Sequence, residues 1–225
     1  MQTAIIDADS LIYAVGFSSN DVEEPLAISR LEKTMIDLCM DLDCEDYVGF
    51  LTGKGNFRNS IAVTAPYKGQ RVSDKPIHYD ALRSHLINSW GFTVVNGIEA
   101  DDAVGIAAYA KPVEETVMVH IDKDLNQLRG NHYNYRKQEH YVITEFEGLY
   151  NFYLQILTGD RIDNIIGLKG IGPAKGAKIL KDCKTEEELY RAVLKAYDGD
   201  FVRVLENGQL LWLQRSEGDV WQLPQ

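Results

Sequence analysis

Ile98-Glu99-Ala100-Asp101-Asp102 places three carboxylates within four consecutive positions. The stretch follows a predicted strand, Phe92 to Val95, and precedes a predicted helix, Ala103 to Ala110. Like charges this close raise one another's pKa unless a cation lies among them, and a helix N-terminus contributes only ~0.3–1 kcal/mol per acid. Because the ligands are all oxygens, the stretch favours Mg2+ or Mn2+ over zinc. The alternative is a solvated acidic helix start.

The composition is that of a folded protein with an excess of negative charge. The 225 residues are 45% hydrophobic and carry a net charge of −11, which predicts one large domain or a core domain with a small appendage. The sequence shows no apolar run of membrane-spanning length and no leader, so we expect a soluble cytoplasmic protein without membrane association. Three reduced thiols are expected at Cys39, Cys44 and Cys183.

The net charge argues against a polyanionic partner only if the charges are spread evenly. They are not, because the bases concentrate in two stretches that could hold phosphates. These are Lys54, Arg58, Lys68, Arg71 and Lys75, and then Lys169, Lys175, Lys178, Lys181 and Lys184.

Acidic residues recur at the ends of several predicted strands and helices. Apolar strands alternate with helical patterns in the first half of the chain, which predicts an α/β fold with a mainly parallel central sheet flanked by helices. The carboxyl ends of parallel strands meet at one edge of a sheet, so we expect the acids to converge there. The four groups are Asp7; Glu99, Asp101 and Asp102; Asp122 and Asp124; and Asp160 and Asp163. Two cations ~3.5–4 Å apart would suit this cluster and would support phosphodiester hydrolysis.

Two glycine-containing segments are each predicted to form a turn. Thr52 to Gly55 is expected to form a turn after the second strand, and the irregular basic segment that follows is expected to form a loop or short arch. Gly167 to Gly172 predicts a tight turn before a helix that begins at Pro173. Its glycines would let the backbone approach an anion closely.

Six motifs occur in the order found in the 5′ to 3′ exonuclease and flap endonuclease family, and the chain most resembles its bacteriophage members. They are Ile6-Asp7, Pro66 to Arg71, Ile98 to Asp102, Ile121 to Asp124, Gly159 to Asn164, and Gly167 to Gly172. The resemblance implies a PIN-like nuclease core over residues 1–144, with a short basic arch-like loop at 54–78. It also implies a helical region at 145–225 that contains a helix-three-turn-helix motif at 158–184.

The resemblance assigns roles to individual residues. In the family the matching acids bind two Mg2+ or Mn2+ ions, Lys68 and Arg71 act on the scissile phosphate, and the glycine hairpin holds duplex DNA, often with a K+ ion. The acids in this chain are Asp7, Glu99, Asp101, Asp102, Asp122, Asp124, Asp160 and Asp163. The expected DNA contacts are Arg58, Tyr67, Gly170, Gly172, Lys175 and Lys178.

We therefore expect a sequence-independent 5′ nuclease that cleaves flaps, nicks or 5′ ends of DNA, or RNA paired to DNA, in replication or primer removal. One residue departs from the family pattern, because Leu51-Thr52-Gly53 stands where many members have Phe-Asp-Gly. That departure motivates a first alternative, a catalytically weak protein that binds branched DNA. A second alternative is a PIN-like ribonuclease. The sequence indicates no particular protein partner.

Overall fold

A six-stranded sheet forms the centre of the computed structural model, which describes residues 2–44, 46–70 and 74–224. The strands are β1 (Thr3–Asp7), β2 (Asp46–Asn56), β3 (Thr93–Gly97), β4 (Thr116–Val119), β5 (Gly130–Asn134) and β6 (Glu139–Ile143). Their spatial order is β3-β2-β1-β4-β5-β6, and only β6 runs antiparallel to its neighbour. The predicted mainly parallel α/β sheet is confirmed.

Helices cover both faces of this sheet. They are α1 (Ala8–Phe17), α2 (Glu24–Asp41), α3 (Arg58–Ile61), α4 (Tyr79–Trp90) and α5 (Ala100–Tyr109). Ile6 packs with α1, α2 and α4 on one face, whereas its neighbour Ile5 packs with α5 on the other. Every residue of β1 is buried for this reason, and the strand is a continuous apolar run up to Asp7.

The remaining helices build a separate apolar core after the sheet. They are α6 (Glu145–Thr158), α7 (Pro173–Leu180), α8 (Glu186–Ala196) and α9 (Phe201–Leu211), with the short antiparallel pair β7 (Gly159–Asp160) and β8 (Ile165–Ile166). A capping box of Thr144 and Glu147 starts α6. Trp212 and Trp221 pack against Phe152, with ring centroids 4.8 and 5.4 Å away.

Two predictions about local structure are wrong. The segment Thr52 to Gly55 does not form a turn, because β2 continues through Asn56 and pairs with Gly97 of β3 after a register shift. Helix α5 begins at Ala100, three residues earlier than expected, because Glu99 and Asp102 form a reciprocal capping box. Both acids that follow Ala100 therefore lie in the first helical turn. The predicted loop at 54–78 includes the end of β2 and all of α3.

None of the helices in the described part of the chain is long and apolar enough to cross a membrane. Cys39, Cys44 and Cys183 are free thiols, as expected.

Candidate active site

The carboxyl ends of β1, β3 and β4 lead into acidic residues on one edge of the sheet. Asp7 is the last residue of β1, Glu99 caps α5 just after β3, and Asp122 follows β4. Together with Asp101 they line a cleft of about 790 Å3. The parallel pairing of adjacent strands produces this convergence. The predicted meeting of these acids is confirmed.

A second, much smaller cavity of about 20 Å3 adjoins the cleft and receives the other acids. Asp124 reaches it from a short 3-10 turn, Asp160 from β7, and Asp163 from the turn before β8. Glu99 and Asp101 line both the cleft and this cavity. The acids from four separate chain segments therefore form one continuous acidic surface with Glu99 and Asp101 at its centre.

Several of these carboxylates are held in surroundings that disfavour their charged form. Burial, and then the charges of Asp9 and Asp122, raise the pKa of Asp7 to about 7. Burial, and then Asp122 and Asp160, raise the pKa of Asp124 to about 7. The pKa of Asp101 is raised well above its ordinary value, chiefly by burial and then by Asp102 and Glu99. A bound cation would relieve this repulsion.

The donor set fits a hard divalent cation. The side chains around Glu99 and Asp101 offer carboxylate oxygens, which suit Mg2+ and Mn2+. Across residues 2–44, 46–70 and 74–224, however, no three His, Cys, Asp or Glu side chains already form a cation-binding group. Part of the reason lies in Tyr67 and Lys68, which occupy the space between Glu99 and Asp163.

Tyr67 and Lys68 bridge two of the site acids. The Tyr67 hydroxyl lies 2.6 Å from Glu99 Oε2 and 2.9 Å from Asp163 Oδ2. Lys68 Nζ donates to Glu99 Oε1 and lies 3.6 Å from Asp163 Oδ2. Burial alone would lower the pKa of Lys68, but the carboxylates of Glu99 and Asp163 more than offset it and raise the pKa. Lys68 therefore lies among the acids, and its action on a phosphate stays a prediction, whereas the expected contact of Tyr67 with DNA is wrong, because its hydroxyl is buried among the acids.

The structure also corrects the roles predicted for Arg58 and Asp102. Arg58 was expected to contact DNA, but only 1% of its side chain is exposed. Its Nη1 lies 2.6 Å from Asp102 Oδ2 and its Nη2 lies 2.8 Å from Asp102 Oδ1. Asp102 was expected to bind metal, but its oxygens also accept the N–H groups of Glu99 and Gln214. Both residues are therefore structural, and the carboxylate of Asp102 faces away from the cleft.

The contacts made by Asp9, Thr52 and Arg83 were not predicted from sequence. Thr52 Oγ1 accepts the N–H of Ala100 at 2.9 Å and so helps to fix the start of α5. Asp9, in the first turn of α1, lines the cleft and accepts the N–H of Thr52 at 3.1 Å. Arg83 of α4 donates to the Thr52 carbonyl at 2.8 Å. The closeness of Asp9 to Asp7 in sequence was the only available signal.

Two buried histidines support the end of β4. His120 Nδ1 lies 2.6 Å from the carbonyl oxygen of Asp122, and His120 Nε2 lies 2.8 Å from His132 Nδ1. Burial lowers the pKa of His120 to about 3 and that of His132 to about 4, so both rings are neutral. His120 therefore packs in the interior. Its bond to the backbone of Asp122 fixes the direction of that acidic residue.

The glycine hairpin lies after β8, with its backbone exposed. Gly170 has a φ of +77°, which favours glycine, and Gly172 caps α7. Lys175 and Lys178 are exposed on α7, and Lys175 Nζ donates to the Gly170 carbonyl at 2.9 Å. Their contact with DNA stays a prediction. Arg71, predicted to act on the phosphate, lies outside the described residues.

A mainly parallel sheet with buried acids at its carboxyl edge, joined to a helical region with a glycine hairpin, defines a phosphodiester hydrolase. No family model matches the sequence. The 5'-3' exonuclease of Mycoplasma pneumoniae is 30% identical over 236 aligned positions, which cover 84% of this chain and 75% of that protein. The chain belongs to the 5'-3' exonuclease family.

Solved structures show the same fold. The D15 protein of bacteriophage T5, co-crystallised with metal ions, superimposes with a TM-score of 0.70 at 16% identity, over 94% of this chain and 89% of that one. A D15 flap endonuclease complex with DNA and metal ions gives a TM-score of 0.58 at 17% identity, over 94% and 95% of the two chains. Family membership and fold together favour the nuclease hypothesis over the binding-protein and ribonuclease alternatives.

Proposed function

We propose that the protein cleaves DNA, or RNA paired to DNA, at flaps, nicks and 5′ ends without regard to base sequence, and that the acidic cleft is its active site. The observation that carries this proposal is the sharing of Glu99 and Asp101 between the open cleft and the adjoining acidic cavity. This arrangement offers two neighbouring sets of oxygen donors on a surface that a phosphate could reach.

Each of the two sets of oxygen donors is a proposed metal site. Asp7, Glu99 and Asp101 would hold one Mg2+ or Mn2+ ion. The second would be held by Asp122, Asp124, Asp160 and Asp163. When bound, such a pair of ions supplies the charge that activates water and stabilises the leaving oxygen of a phosphodiester. Metal ions in crystals of the T5 D15 protein support this assignment.

The protein's own side chains would orient the substrate and limit repulsion. In the described ranges, Lys68 Nζ is a cation at the centre of the site, because it contacts Glu99 and approaches Asp163. We propose that it exchanges Glu99 for a phosphate oxygen when substrate binds, and that Arg71 assists it. The backbone around Glu99 is fixed by Asp102 and Thr52, so the carboxylates keep their positions without substrate.

Duplex DNA would be held by the second unit of the chain. We propose a nuclease unit at 1–144 and a helical unit at 145–225, in which Gly170, Gly172, Lys175 and Lys178 contact the phosphate backbone. A K+ ion at Gly167 to Gly172 belongs to the same proposal. Support comes from the second apolar core, most of whose residues lie in the helical region, and from the DNA in the T5 complex. Contacts of this kind with phosphates carry no base information.

The proposed place of action is the cytoplasm of a bacterial or phage-infected cell, during replication or primer removal. A bacterial 5'-3' exonuclease and a phage protein among its relatives support this setting.

The test is cleavage of a 5′-labelled series of flap, nicked, blunt and RNA-primed duplexes, with and without Mg2+. The variant Asp122→Asn should abolish Mg2+-dependent product, while its melting temperature without metal stays at or above that of the wild type. Asp198→Asn, an exposed acid far along the chain, serves as the matched control and should cleave normally. Full turnover by Asp122→Asn would refute the active-site assignment.

A further inference from the structure

One position in the row of strand ends lacks a carboxylate. In the spatial order β3-β2-β1-β4, acids follow β3, terminate β1 and follow β4, but Thr52 occupies the corresponding place on β2. Thr52 lines the cleft together with Asp7 and Glu99. Its hydroxyl is already committed to the N–H of Ala100. The strand between Asp7 and Glu99 therefore contributes no negative charge of its own.

Asp9 brings a carboxylate to this gap from the first turn of α1. Its Oδ2 accepts the Thr52 N–H at 3.1 Å, so the carboxylate lies directly beside Thr52 of β2. It also lines the same cleft as Asp7, Asp101 and Asp122. Asp9 is part of α1 in sequence, but in space its carboxylate lies next to β2.

Within the described part of the chain, the second oxygen of Asp9 has no hydrogen-bond donor. Asp9 Oδ1 is a buried atom without a hydrogen-bond partner there, and so is Nη1 of Arg83, 3.8 Å away. That separation is too long for a hydrogen bond. Arg83 is instead anchored to β2 through the carbonyl of Thr52. A buried carboxylate oxygen without a donor is destabilising by ~1–3 kcal/mol, more for a charged group, and such atoms commonly mark a bound ion or water.

We propose that Asp9 is a ligand of the divalent cation in the cleft and supplies the carboxylate that β2 lacks. The Thr52 N–H holds Oδ2 and so fixes the orientation of the carboxylate at the cleft. This inference rests on the proposed function, because it requires a cation beside Asp7. In this chain, Asp9 would replace the carboxylate that is absent from position 52.

The competing explanation is that Asp9 serves only as an ion-pair partner for Arg83. Removing either side chain would then have the same effect. If Asp9 binds the cation, Arg83→Met should leave cation affinity unchanged or increase it, because a competing positive charge has been removed. The two residues can therefore be separated by measuring binding.

The experiment measures Mn2+ binding to the full chain without DNA, by electron paramagnetic resonance and calorimetry. Asp9→Asn should weaken Mn2+ binding at one site by at least about tenfold. Even groups that only hydrogen-bond to a metal ligand commonly contribute that much to affinity. The double variant Asp9→Asn with Thr52→Asp should recover the affinity, because aspartate at 52 restores a carboxylate and can still accept the Ala100 N–H. Melting temperatures without metal report whether each variant folds.

Three outcomes would overturn the proposal. The first is unchanged Mn2+ binding in Asp9→Asn. The second is an equal loss in Arg83→Met. The third is a loss in Asp9→Asn that the Thr52→Asp change fails to restore. Asp122→Asn distinguishes this failure from failure of the proposed function: if Asp122→Asn loses Mn2+ and Asp9→Asn does not, only the role of Asp9 is wrong. If neither variant loses Mn2+, the metal site itself is wrong.

Discussion

Arg58 and Asp102 form a two-pronged ion pair, with N–O distances of 2.6 and 2.8 Å, in the interior behind the acidic cleft. Arg58 also donates to the carbonyl oxygens of Leu210 and Trp212, so the pair ties α5 to the end of α9. The network sets the position of Glu99 and Asp101 because Asp102 caps the helix that carries them. Disruption of this network should lower the free energy of unfolding more than it changes the cleavage reaction.

Replacing Arg58 with Met should lower the free energy of unfolding by about 3–5 kcal/mol, because Asp102 would remain buried without its partner. Urea denaturation followed by circular dichroism measures this loss. The control is Arg191→Met, which breaks an exposed pair with Glu187 and should change stability by about 0.5 kcal/mol or less. Equal effects of the two substitutions would contradict the structural role of Arg58.

Replacing Lys68 with Met should reduce the cleavage rate by about 10²–10³, as is typical when a group that stabilises transition-state charge is removed. Mn2+ affinity should stay the same or rise, since Lys68 currently neutralises Glu99. Single-turnover cleavage and Mn2+ titration measure the two effects. Lys33→Met, at an exposed lysine, is the control. A parallel loss of cation binding would instead assign Lys68 a structural role.

The stability of the metal-free protein should fall as the pH rises from about 4 to about 7. The pKa of Asp7 and that of Asp124 are each raised to about 7 by burial and neighbouring acids, so the native state binds more protons than the unfolded state in this window. Their contribution is fully present below the unfolded pKa and is lost as pH passes the folded one. Urea titrations in chelator over this range measure the slope.

The Asp7→Asn variant should show a shallower slope, because it removes one of the acids whose pKa is raised. Added Mg2+ should restore stability most at high pH, where both acids are ionised. A wild-type stability that rises between pH values of about 5 and about 7 in chelator would show that other groups dominate.

Glu206 should control the order of the segment that carries Tyr67 and Lys68. Its Oε1 accepts the N–H groups of Val63 and Thr64 at 2.8 and 2.7 Å, and Arg203 of α9 pairs with its Oε2 at 2.6 Å. Glu206→Gln should speed hydrogen exchange at Val63 and Thr64 and lower stability by about 1–3 kcal/mol. The exposed Glu217→Gln is the control. Unchanged exchange in the Glu206 variant would rule out this anchoring role.

Removing the charges of Lys175 and Lys178 should weaken binding to all duplexes by a similar factor. Each lost phosphate contact should also reduce the slope of log affinity against log salt by about 1. Fluorescence anisotropy on a flap and on a blunt duplex, over a salt series, measures both. Lys33→Met again provides a remote control. A loss confined to one base sequence would contradict backbone recognition.

The alternation of apolar strands and amphipathic helices was enough to predict the parallel sheet, because burial of both faces requires strands such as Thr3–Asp7 to be continuously apolar. The same pattern predicted that Asp7, Glu99 and Asp122 would meet, since parallel strands bring their carboxyl ends to one edge. The capping residue Thr144 was also recognisable, because its partner Glu147 lies within the same helical turn. These features depend on local periodicity and on short spacings.

The tertiary structure alone decided which charged residues face the cleft. Arginine is a common DNA contact and aspartate a common metal ligand. Arg58 and Asp102 nevertheless pair with each other in the interior, although they are 44 positions apart in sequence. Tyr67 lies among the acids rather than on a DNA surface, and Asp9 lies beside Thr52. The physical reason is that a long-range ion pair or hydrogen bond leaves no periodic trace in sequence. A charged side chain has the same identity whether it is paired internally or free to bind a ligand, and only the folded chain distinguishes the two.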